Sequence, residues 1–326
     1  MTDKSQPEYQ DKDDALHPYD AEDYYEWWYF DGQFDNEYSC ALTMHWRNGF
    51  LKPHIPTLQM YIYTPNGTRI SGLGKVDSAQ CSASEDRCDV KMGESFARVE
   101  NDGTYRVRLQ AKKIAVDLAY RRLLPPYKRG PGFFPKTKAE FEHGWVVPIP
   151  RGEVKGTLFI DGQAITVKGE GYHDHNWGNA NMGDCFRGWA WGRMYDPKYT
   201  IIYAWILPID EGEPPSPSIY LARGNEPVLA TSESNFMSEK AEFDPETGKD
   251  IPRQVLLRAD KQDISFSVRL DLAEVVEKGM MQKVTGLPQY YFWRFLANYQ
   301  ADIKIKDSAD RISGKTMSEY MLLNIV

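Results

Sequence analysis

The most unusual stretch of the sequence lies between Gly169 and Asn179, where two histidines, an aspartate, an asparagine, a tyrosine and a tryptophan occur close together. Side chains of a strand alternate between its two faces, so Tyr172, Asp174 and Asn176 are predicted to share one face. Titratable and polar groups clustered at the end of a strand are typical of a ligand site. The alternative is a polar network that locks two domains together.

The opposite face of the same strand would carry His173, His175 and Trp177. A His-x-His pair on a strand can chelate a metal ion, but no third ligand is obvious in the sequence. We therefore predict neither a metal site nor an organic cofactor. The cysteines form no Cys-x-x-Cys pair and are expected to be thiols, although Cys81 and Cys88 could pair in an oxidising compartment.

A second candidate cluster, His143-Gly144-Trp145, precedes a predicted hairpin whose strands are joined by Asp161-Gly162. Asp-Gly is typical of the two-residue type I′ turn. This hairpin could bring His143 and Trp145 alongside Asp174, where Trp145 would shape a pocket and His143 would act as a general base or orient another group. The alternative is a half-buried histidine beside a core tryptophan.

Four consecutive aromatic residues, Trp27-Trp28-Tyr29-Phe30, follow Glu26 near the start of the chain. A strand would place two of them on each face, so both faces must be covered. They would form either a plain barrel core or a wall against which a flat, lipophilic ligand packs. Trp27, Trp28 and Trp177 are therefore candidate substrate-binding residues, and Glu26 is a secondary candidate beside this wall.

These residue types suit chemistry on a carbon–carbon double bond. Hydration of an isolated double bond begins with protonation of carbon, which needs a carboxylic acid that keeps its proton until the substrate is bound. Burial among aromatic side chains raises the pKa of a carboxyl group, so Asp174 is predicted to be that acid, with Tyr172 assisting. Neighbouring tryptophans could stabilise the cation by about 1–2 kcal/mol each, and His143 could activate the water.

Two other functions use the same residues. The pocket could fold a polyene so that it cyclises, with the gain coming from orientation and from hydrogen bonds to a carbonyl group. It could also carry a lipid or polyene without reacting, which needs no buried acid. Asn176 would orient Asp174 or simply cap the strand end. The residues alone do not separate hydration, cyclisation and binding.

Strand signals dominate the elements that must position these residues. Short alternating strands are separated by turn residues such as Pro65-Asn66-Gly67, which is typical of an all-β sandwich or barrel. Residues 264–270 alternate apolar and polar side chains, and residues 300–306 and 312–321 are predicted to form a closing hairpin. Only residues 272–280 favour a helix.

A weak internal duplication favours two β-barrel-like domains. Its aromatic positions recur about 162 residues apart, as Trp27 with Trp189 and Tyr29 with Trp191. Glu319, near the end of the second half, echoes Asp174. With a Gly- and Asn-rich boundary near residue 180, the sequence predicts a disordered or loosely draped arm over residues 1–18, an N-terminal domain over 19–182 and a C-terminal domain over 183–326.

Composition excludes some partners. The chain has 326 residues with 39 basic and 47 acidic side chains, and this acidic excess argues against nucleic acid, which needs clustered basic residues. The apolar runs are too short for a membrane-spanning helix, which leaves only peripheral membrane contact open. The N-terminal residues lack the basic and apolar regions of a signal peptide, so a cytoplasmic location is predicted.

Four motifs of the chain occur together in one known superfamily: Glu26-Trp27-Trp28-Tyr29, His143-Gly144-Trp145, Tyr172-His173-Asp174-His175-Asn176-Trp177-Gly178 and Trp189-x-Trp191-Gly192-Arg193. Together they resemble the carotenoid 1,2-hydratase (hydroxyneurosporene synthase)-like superfamily, with its kievitone-hydratase-like and fungal decalin-forming Diels-Alderase relatives. The resemblance implies two lipocalin-like (calycin) domains with a pocket at or near their interface. It also implies a hydrophobic unsaturated substrate and catalytic roles for Asp174, Tyr172, His143 and Trp145.

Overall fold

The computed structural model describes residues 8–134, 141–210, 212–213, 215–281 and 289–323. The chain divides into two compact units, one built from residues 6–133 and 140–181 and the other mainly from residues 182–326. Regular structure in the described residues is almost entirely antiparallel β-sheet, which confirms the predicted all-β, lipocalin-like class. Among these residues, every helix is too short or too polar to cross a lipid bilayer.

The first unit is one curled antiparallel sheet with two short 3-10 helices at Asp11–Asp14 and Ser78–Gln80 among its described residues. Its strands are β1 (Tyr25–Phe34), β2 (Ser39–Arg47), β3 (Thr57–Tyr63), β4 (Arg69–Lys75), β5 (Cys81–Ala83), β6 (Asp89–Met92), β7 (Ser95–Val99), β8 (Tyr105–Ala111), β9 (Ile114–Arg122), β10 (Tyr127–Phe133), β11 (His143–Ile160) and β12 (Gln163–Gly178). They lie in the order β4-β3-β2-β1-β12-β11-β9-β8-β7-β6-β5, and β10 pairs with β11.

The sequence of each strand explains which face it buries. In β8, Tyr105, Val107 and Leu109 point into the hydrophobic core of the first unit, while the arginines between them are exposed. This period-two alternation matches a strand with one face against a core and one face in water. At about 25 cal/mol per Å² of buried apolar surface, such core faces are a dominant stabilising term of the fold.

The second unit begins with a short helix, α1 (Met182–Cys185), and continues as another curled antiparallel sheet. Its strands are β13 (Gly188–Tyr195), β14 (Tyr199–Leu207), β15 (Ser216–Arg223), β16 (Glu226–Thr231), β17 (Asn235–Asp244), β18 (Lys249–Lys261), β19 (Ile264–Met281), β20 (Tyr290–Ile305) and β21 (Ser308–Leu323). They lie in the order β16-β15-β14-β13-β21-β20-β19-β18-β17.

Sheet order and register agree with an internal duplication. In each unit the first long strand pairs with the last one, β1 with β12 and β13 with β21. Tyr29 lies opposite Asp174 in the first pair, and Trp191 lies opposite Glu319 in the second. Because Tyr29 and Trp191 are 162 positions apart in the chain, Glu319 occupies the position in the second unit that Asp174 occupies in the first.

The predicted hairpins are confirmed. Ile160 pairs with Gln163 across Asp161 and Gly162, whose φ values of 49° and 82° are those of a type I′ turn. The closing hairpin is longer than predicted, since β20 and β21 pair without a break from Tyr290 to Leu323. Cys81 and Cys88 are both free cysteines in the structure.

The predicted helix over residues 272–280 is wrong, because this segment is the second half of β19 and pairs with β20. The register shifts between Leu272 and Glu274 and again between Val275 and Glu277. A β-bulge adds a residue and resets which side chains face the core. The two bulges therefore interrupt the period-two pattern of this segment. Its residues, which include Leu, Glu, Val and Lys, then give a composition that favours a helix prediction.

The described part of the predicted arm, residues 8–18, is not a disordered or loosely draped segment. Asp14 and Ala15 are 0% and 1% exposed. The Trp28 indole N–H donates to the backbone oxygen of Asp14 at 3.1 Å, and the Tyr105 hydroxyl donates to its carboxylate at 2.8 Å. A polar, acidic sequence suggests solvent exposure, but here the aspartate is the anion of a buried polar network. Residues 1–7 lie outside the described residues.

Candidate active site

The strands β1, β12 and β11 present two chemically different faces. The inner face packs on the hydrophobic core of the first unit, which includes Trp28 and Phe30 of β1. The His173 ring stacks on Phe30 with centroids 3.9 Å apart, and the His175 ring stacks on Trp28 with centroids 4.2 Å apart. The outer face is the opposite one, and the alternation predicted for β12 therefore places Asp174 there.

Asp174 is the centre of a compact polar cluster on the outer face. Its Oδ2 atom accepts hydrogen bonds from the Trp145 indole N–H at 3.1 Å and from the Tyr172 hydroxyl at 3.0 Å. Its Oδ1 atom accepts one from the Asn176 amide at 2.9 Å. The residue is only 6% exposed. The predicted grouping of these four residues is what the structure contains.

Strand register explains why these side chains meet. Tyr172 and Asn176 lie two residues before and after Asp174 and so share its face. On the neighbouring strands, Tyr29 is opposite Asp174, while Trp27 and Trp145 flank Asn176 from β1 and β11. Adjacent strands are about 4.8 Å apart, within reach of an indole side chain. The sheet therefore holds one carboxylate and its donors in a fixed arrangement.

The structure does not bring His143 to Asp174. His143 lies opposite Gly178, four residues beyond Asp174, which at about 3.3 Å per residue is about 13 Å along the strand. Its Nδ1 atom is 2.8 Å from the Tyr25 hydroxyl. Burial lowers the pKa of His143 to about 3, although a backbone hydrogen bond at Trp177 opposes this effect. The imidazole is therefore neutral at physiological pH and a weak base.

Three other predicted site residues, Glu26, Trp28 and Trp177, lie on the inner face. Glu26 and Trp28 are 0% exposed and Trp177 is 2% exposed. The backbone of the sheet separates them from Asp174, so they cannot line the same pocket. The expectation that Trp177 and Trp28 bind substrate together with Trp27 therefore conflicts with the alternation of β1 and β12, which places Trp27 on the opposite face.

Close packing of the Trp177 ring against Gly144 explains why the middle residue of the His-Gly-Trp motif is a glycine. A Cβ atom at this position would lie 2.1 Å from the Trp177 ring, which is held between neighbours. We expect Gly144→Ala to cost about 1–3 kcal/mol of unfolding free energy, because the indole must leave its low-energy position. Chemical denaturation of the variant measures this loss. Gly74→Ala is the matched control, since its added Cβ lies 3.7 Å from the nearest atom.

If Gly144→Ala and Gly74→Ala lowered the midpoint equally, close packing of Trp177 against Gly144 would not be the reason for the motif.

Several outer-face residues were not predicted as site residues. These residues lie on the same face as Trp27 but belong to three strands: Tyr25 and Tyr29 of β1, His45 of β2 and Tyr127 of β10. Tyr127 packs edge-on against Trp145 with centroids 5.9 Å apart, and Trp27 lies 6.0 Å from His45. Burial lowers the pKa of His45 to about 4, partly offset by its hydrogen bond with Gln59. Period-two counting from Trp27 along β1 would have found Tyr25 and Tyr29, whereas His45 and Tyr127 require the pairing of other strands.

The outer face is thus a mainly aromatic surface that carries the multiply hydrogen-bonded carboxylate of Asp174 and a second buried carboxylate, Asp31, which accepts a hydrogen bond from the Tyr29 hydroxyl at 3.3 Å. Trp27 and Tyr29 are only half-buried, so they remain accessible to a small molecule. Aromatic faces attract a cation, and a carboxyl group can release or accept a proton. This arrangement is chemically suited to reactions that pass through a carbocation.

Comparisons of sequence place the chain among known proteins. It is 26% identical over 230 residues to hydroxyneurosporene dehydrogenase of Chlorobaculum tepidum. That alignment covers 58% of this chain and 58% of the relative, so the chain matches less than two thirds of the length of that protein.

Solved structures share the fold over almost the whole chain. Kievitone hydratase from Nectria haematococca superposes with a TM-score of 0.60 at 12% identity, covering 91% of this chain and 88% of the other. CghA in complex with Sch210972 superposes with a TM-score of 0.66 at 14% identity, covering 98% and 96%. These likenesses confirm the relatives expected from the motifs at the level of fold. A family model described as AttH-like matches residues 66–316, and the chain belongs to the AttH-like family.

Proposed function

We propose that this protein is a cofactor-independent enzyme that adds water to a carbon–carbon double bond of a hydrophobic isoprenoid or polyene, with Asp174 as the proton donor. The observation that carries the proposal is the Asp174 carboxyl group, buried and bonded to Trp145, Tyr172 and Asn176 on an aromatic face. Proton transfer between a side chain and substrate carbon needs no organic cofactor.

The reaction proceeds in two steps. The protonated carboxyl of Asp174 gives its proton to one alkene carbon, and the π electrons form the new C–H bond. The other carbon becomes a cation next to the Asp174 carboxylate. A water molecule then forms a C–O bond with that cation and returns one proton to Asp174. The alkene gains one water in total, and the carboxyl group ends as it began.

The hydrogen bonds to Asp174 favour the proton transfer. Each donor stabilises a carboxylate more than a neutral carboxyl, and the carboxylate exists only after the proton has left. Groups fixed in place before the reaction stabilise developing charge without reorganising. Desolvation acts in the opposite direction and favours the proton-bearing form in the resting enzyme. The two influences together suit a group that must hold a proton and then release it.

Aromatic side chains on the outer face would stabilise the other charge. On β1, Trp27 lies opposite Asn176 of β12, and Tyr29 lies opposite Asp174. A cation over a desolvated aromatic ring gains on the order of 1–2 kcal/mol. His143, neutral and about 13 Å along the strand from Asp174, is proposed to orient a distant part of the substrate or a water through Tyr25, rather than to act as a strong base.

The named relatives support this assignment. One bears the name of an enzyme of hydroxyneurosporene, and another that of a hydratase of kievitone. Both names belong to those proteins, but the second names the reaction type that the Asp174 cluster suits. We therefore place hydration first and treat cyclisation and simple binding as alternatives that an experiment separates.

The proposal is tested by incubating the protein in ¹⁸O-labelled water with acyclic isoprenoid polyenes and linear polyene ketones. We expect a product that is one water heavier and carries the heavy oxygen by mass spectrometry, and that is absent with Asp174→Asn. A product of unchanged mass but altered retention time would mean cyclisation or isomerisation. Recovery of unaltered ligand, bound equally by both proteins, would favour a carrier and contradict the proposed function.

A further inference from the structure

Three side chains with metal-binding atoms meet on the inner face of the first unit, behind the strand that carries Asp174. They come from three segments: His17 from the N-terminal segment, Glu26 from β1 and His175 from β12. The His175 Nε2 atom is 2.8 Å from Glu26 Oε1, and the His17 Nδ1 atom is 3.3 Å from the same oxygen. All three potential ligand atoms lie within 4.8 Å of one another.

We infer that His17, Glu26 and His175 form a binding site for a divalent transition-metal ion of the Zn²⁺ class. Two histidines and one carboxylate are a donor set that Zn²⁺ accepts in proteins. With metal–ligand distances of about 2.0–2.1 Å, neighbouring ligand atoms of a tetrahedral site lie about 3.3 Å apart. The observed separations need only small movements to reach that geometry.

A metal ion binds the deprotonated forms of these side chains, the carboxylate of Glu26 and the neutral imidazoles of His17 and His175. Binding of the ion and protonation of the cluster therefore compete, and affinity should fall as the pH is lowered.

A second carboxylate orients one ligand. The Nδ1 atom of His175 faces the Oδ1 atom of Asp14 at 3.5 Å, and both residues are 0% exposed. Neither atom has a hydrogen-bond partner of ordinary geometry within the described ranges. Metal-binding histidines commonly donate their second N–H to a carboxylate, which fixes the ring and raises its basicity. Metal binding at Nε2 would place the proton on Nδ1 and shorten this contact.

The inner face offers one competing cluster in the described residues, formed by Asp14, Cys88 and His173. Burial raises the pKa of the Cys88 thiol well above its usual value, and nearby Asp14 adds to the effect. A thiol that keeps its proton is a poor ligand, since the thiolate is the binding form. The site at His17 is also open to the solvent, because the His17 side chain is 23% exposed.

A bound ion would fasten the N-terminal segment to β1 and β12, and it takes no part in the proposed hydration. It would also be detectable by fluorescence, since the His17 ring stacks on Trp177 with centroids 3.7 Å apart and planes 2° apart.

Metal-free full-length protein titrated with Zn²⁺ against a chromophoric chelator tests the inference. We expect one Zn²⁺ per chain, a change in tryptophan fluorescence and a melting temperature that rises with Zn²⁺ concentration. Asp14→Asn should weaken binding about 10–100-fold, as for other residues that orient a ligand. His17→Ala and Glu26→Gln should weaken it more. His54→Gln is the matched control, because His54 pairs with one carboxylate, Asp23, at 3.2 Å.

Co²⁺ identifies the ligands. We expect visible d–d absorption without a thiolate-to-Co²⁺ band, unchanged in Cys88→Ser. A thiolate band that Cys88→Ser removes would assign the ion to the competing cluster and overturn the inference. Lack of Zn²⁺ binding at millimolar concentration, or equal affinity in wild type, His17→Ala and Glu26→Gln, would also overturn it. His17→Ala is the primary variant because a partly exposed side chain can be removed from the metal-free protein with little loss of folding.

Discussion

Replacement of Asp174 by asparagine is expected to lower turnover of the unsaturated substrate by about 10²–10⁴-fold, the usual contribution of a positioned acid. The amide has nearly the same shape but cannot give up a proton at this position. Substrate affinity should change little if, as proposed, hydrophobic contacts with the aromatic side chains of the outer face supply most of it. Single-turnover kinetics measure the loss, and quenching of tryptophan fluorescence measures binding separately.

Folding and local chemistry need separate controls in this experiment. In Asp174→Asn, an NH₂ group replaces one of the two acceptor oxygens and faces either the Asn176 amide or the Trp145 and Tyr172 donors. Two donors then face each other without an acceptor, which costs about 1–3 kcal/mol of folding free energy. The melting temperature of the variant therefore has to be measured. Glu319→Gln is the matched control, because Glu319 has the same register in the second unit. Equal activity of wild type and Asp174→Asn would exclude Asp174 as the acid.

Replacement of Arg294 by methionine is expected to lower the free energy of unfolding by about 3–5 kcal/mol. The reason is that two carboxylates would lose the guanidinium with which both now pair. The Nη1 atom of Arg294 is 2.5 Å from Glu277, and its Nη2 atom is 2.6 Å from Glu319. Arg294 and Glu277 are each 8% exposed. Removal of the shared cation leaves like charges close together in a low-dielectric environment, where their repulsion is weakly screened.

Urea denaturation measures this effect, and the same pair of strands supplies a control. Arg311 lies across from Asp302 in β20 and β21 at 2.6 Å, but its side chain is 77% exposed. Exposed ion pairs contribute about 0–1 kcal/mol, so Arg311→Met should move the midpoint little. If both arginine variants lost the same small amount, the buried triad would be as weakly coupled as a surface pair.

Much of the candidate site follows from the sequence because β12 is a regular strand. Its pairing with β1 and β11 makes residue number predict the face, so Tyr172, Asp174 and Asn176 could be grouped correctly. The Asp161-Gly162 turn sets the register of the hairpin from Ile160 opposite Gln163 to Gly152 opposite Gly171. Local patterns of this kind depend only on neighbours in the chain or across one turn.

The parts that could not be predicted depend on contacts between distant segments or on irregular backbone. Asp14 belongs to the core only because His173 and Tyr105 supply partners from strands far along the chain. The positions of Trp145 and His143 depend on two register shifts in β11, between Val146 and Gly152, that no local signal marks. The bulges of β19 likewise hide a strand behind a helix-like composition.

The second unit shows how one architecture can hold two different groups at one position. Glu319 has the register of Asp174, but it receives the Arg294 guanidinium instead of neutral donors. A nearby positive charge favours the ionised form of a carboxyl group, which makes it a poorer proton donor. We therefore expect proton chemistry in the first unit alone, as the Glu319→Gln control tests.

The unbroken pairing of β1 with β12, from Tyr25 opposite Gly178 to Phe34 opposite Gly169, also limits how this protein can change length. Insertion or deletion of one residue within this part of β12 would exchange its two faces, turning Asp174 into the core and His173 or His175 out of it. Evolution toward new substrates is therefore expected to substitute residues in this segment rather than add or remove them, unless a β-bulge like those of β11 and β19 absorbs the change. Laboratory libraries should confine length variation to turns such as residues 64–68.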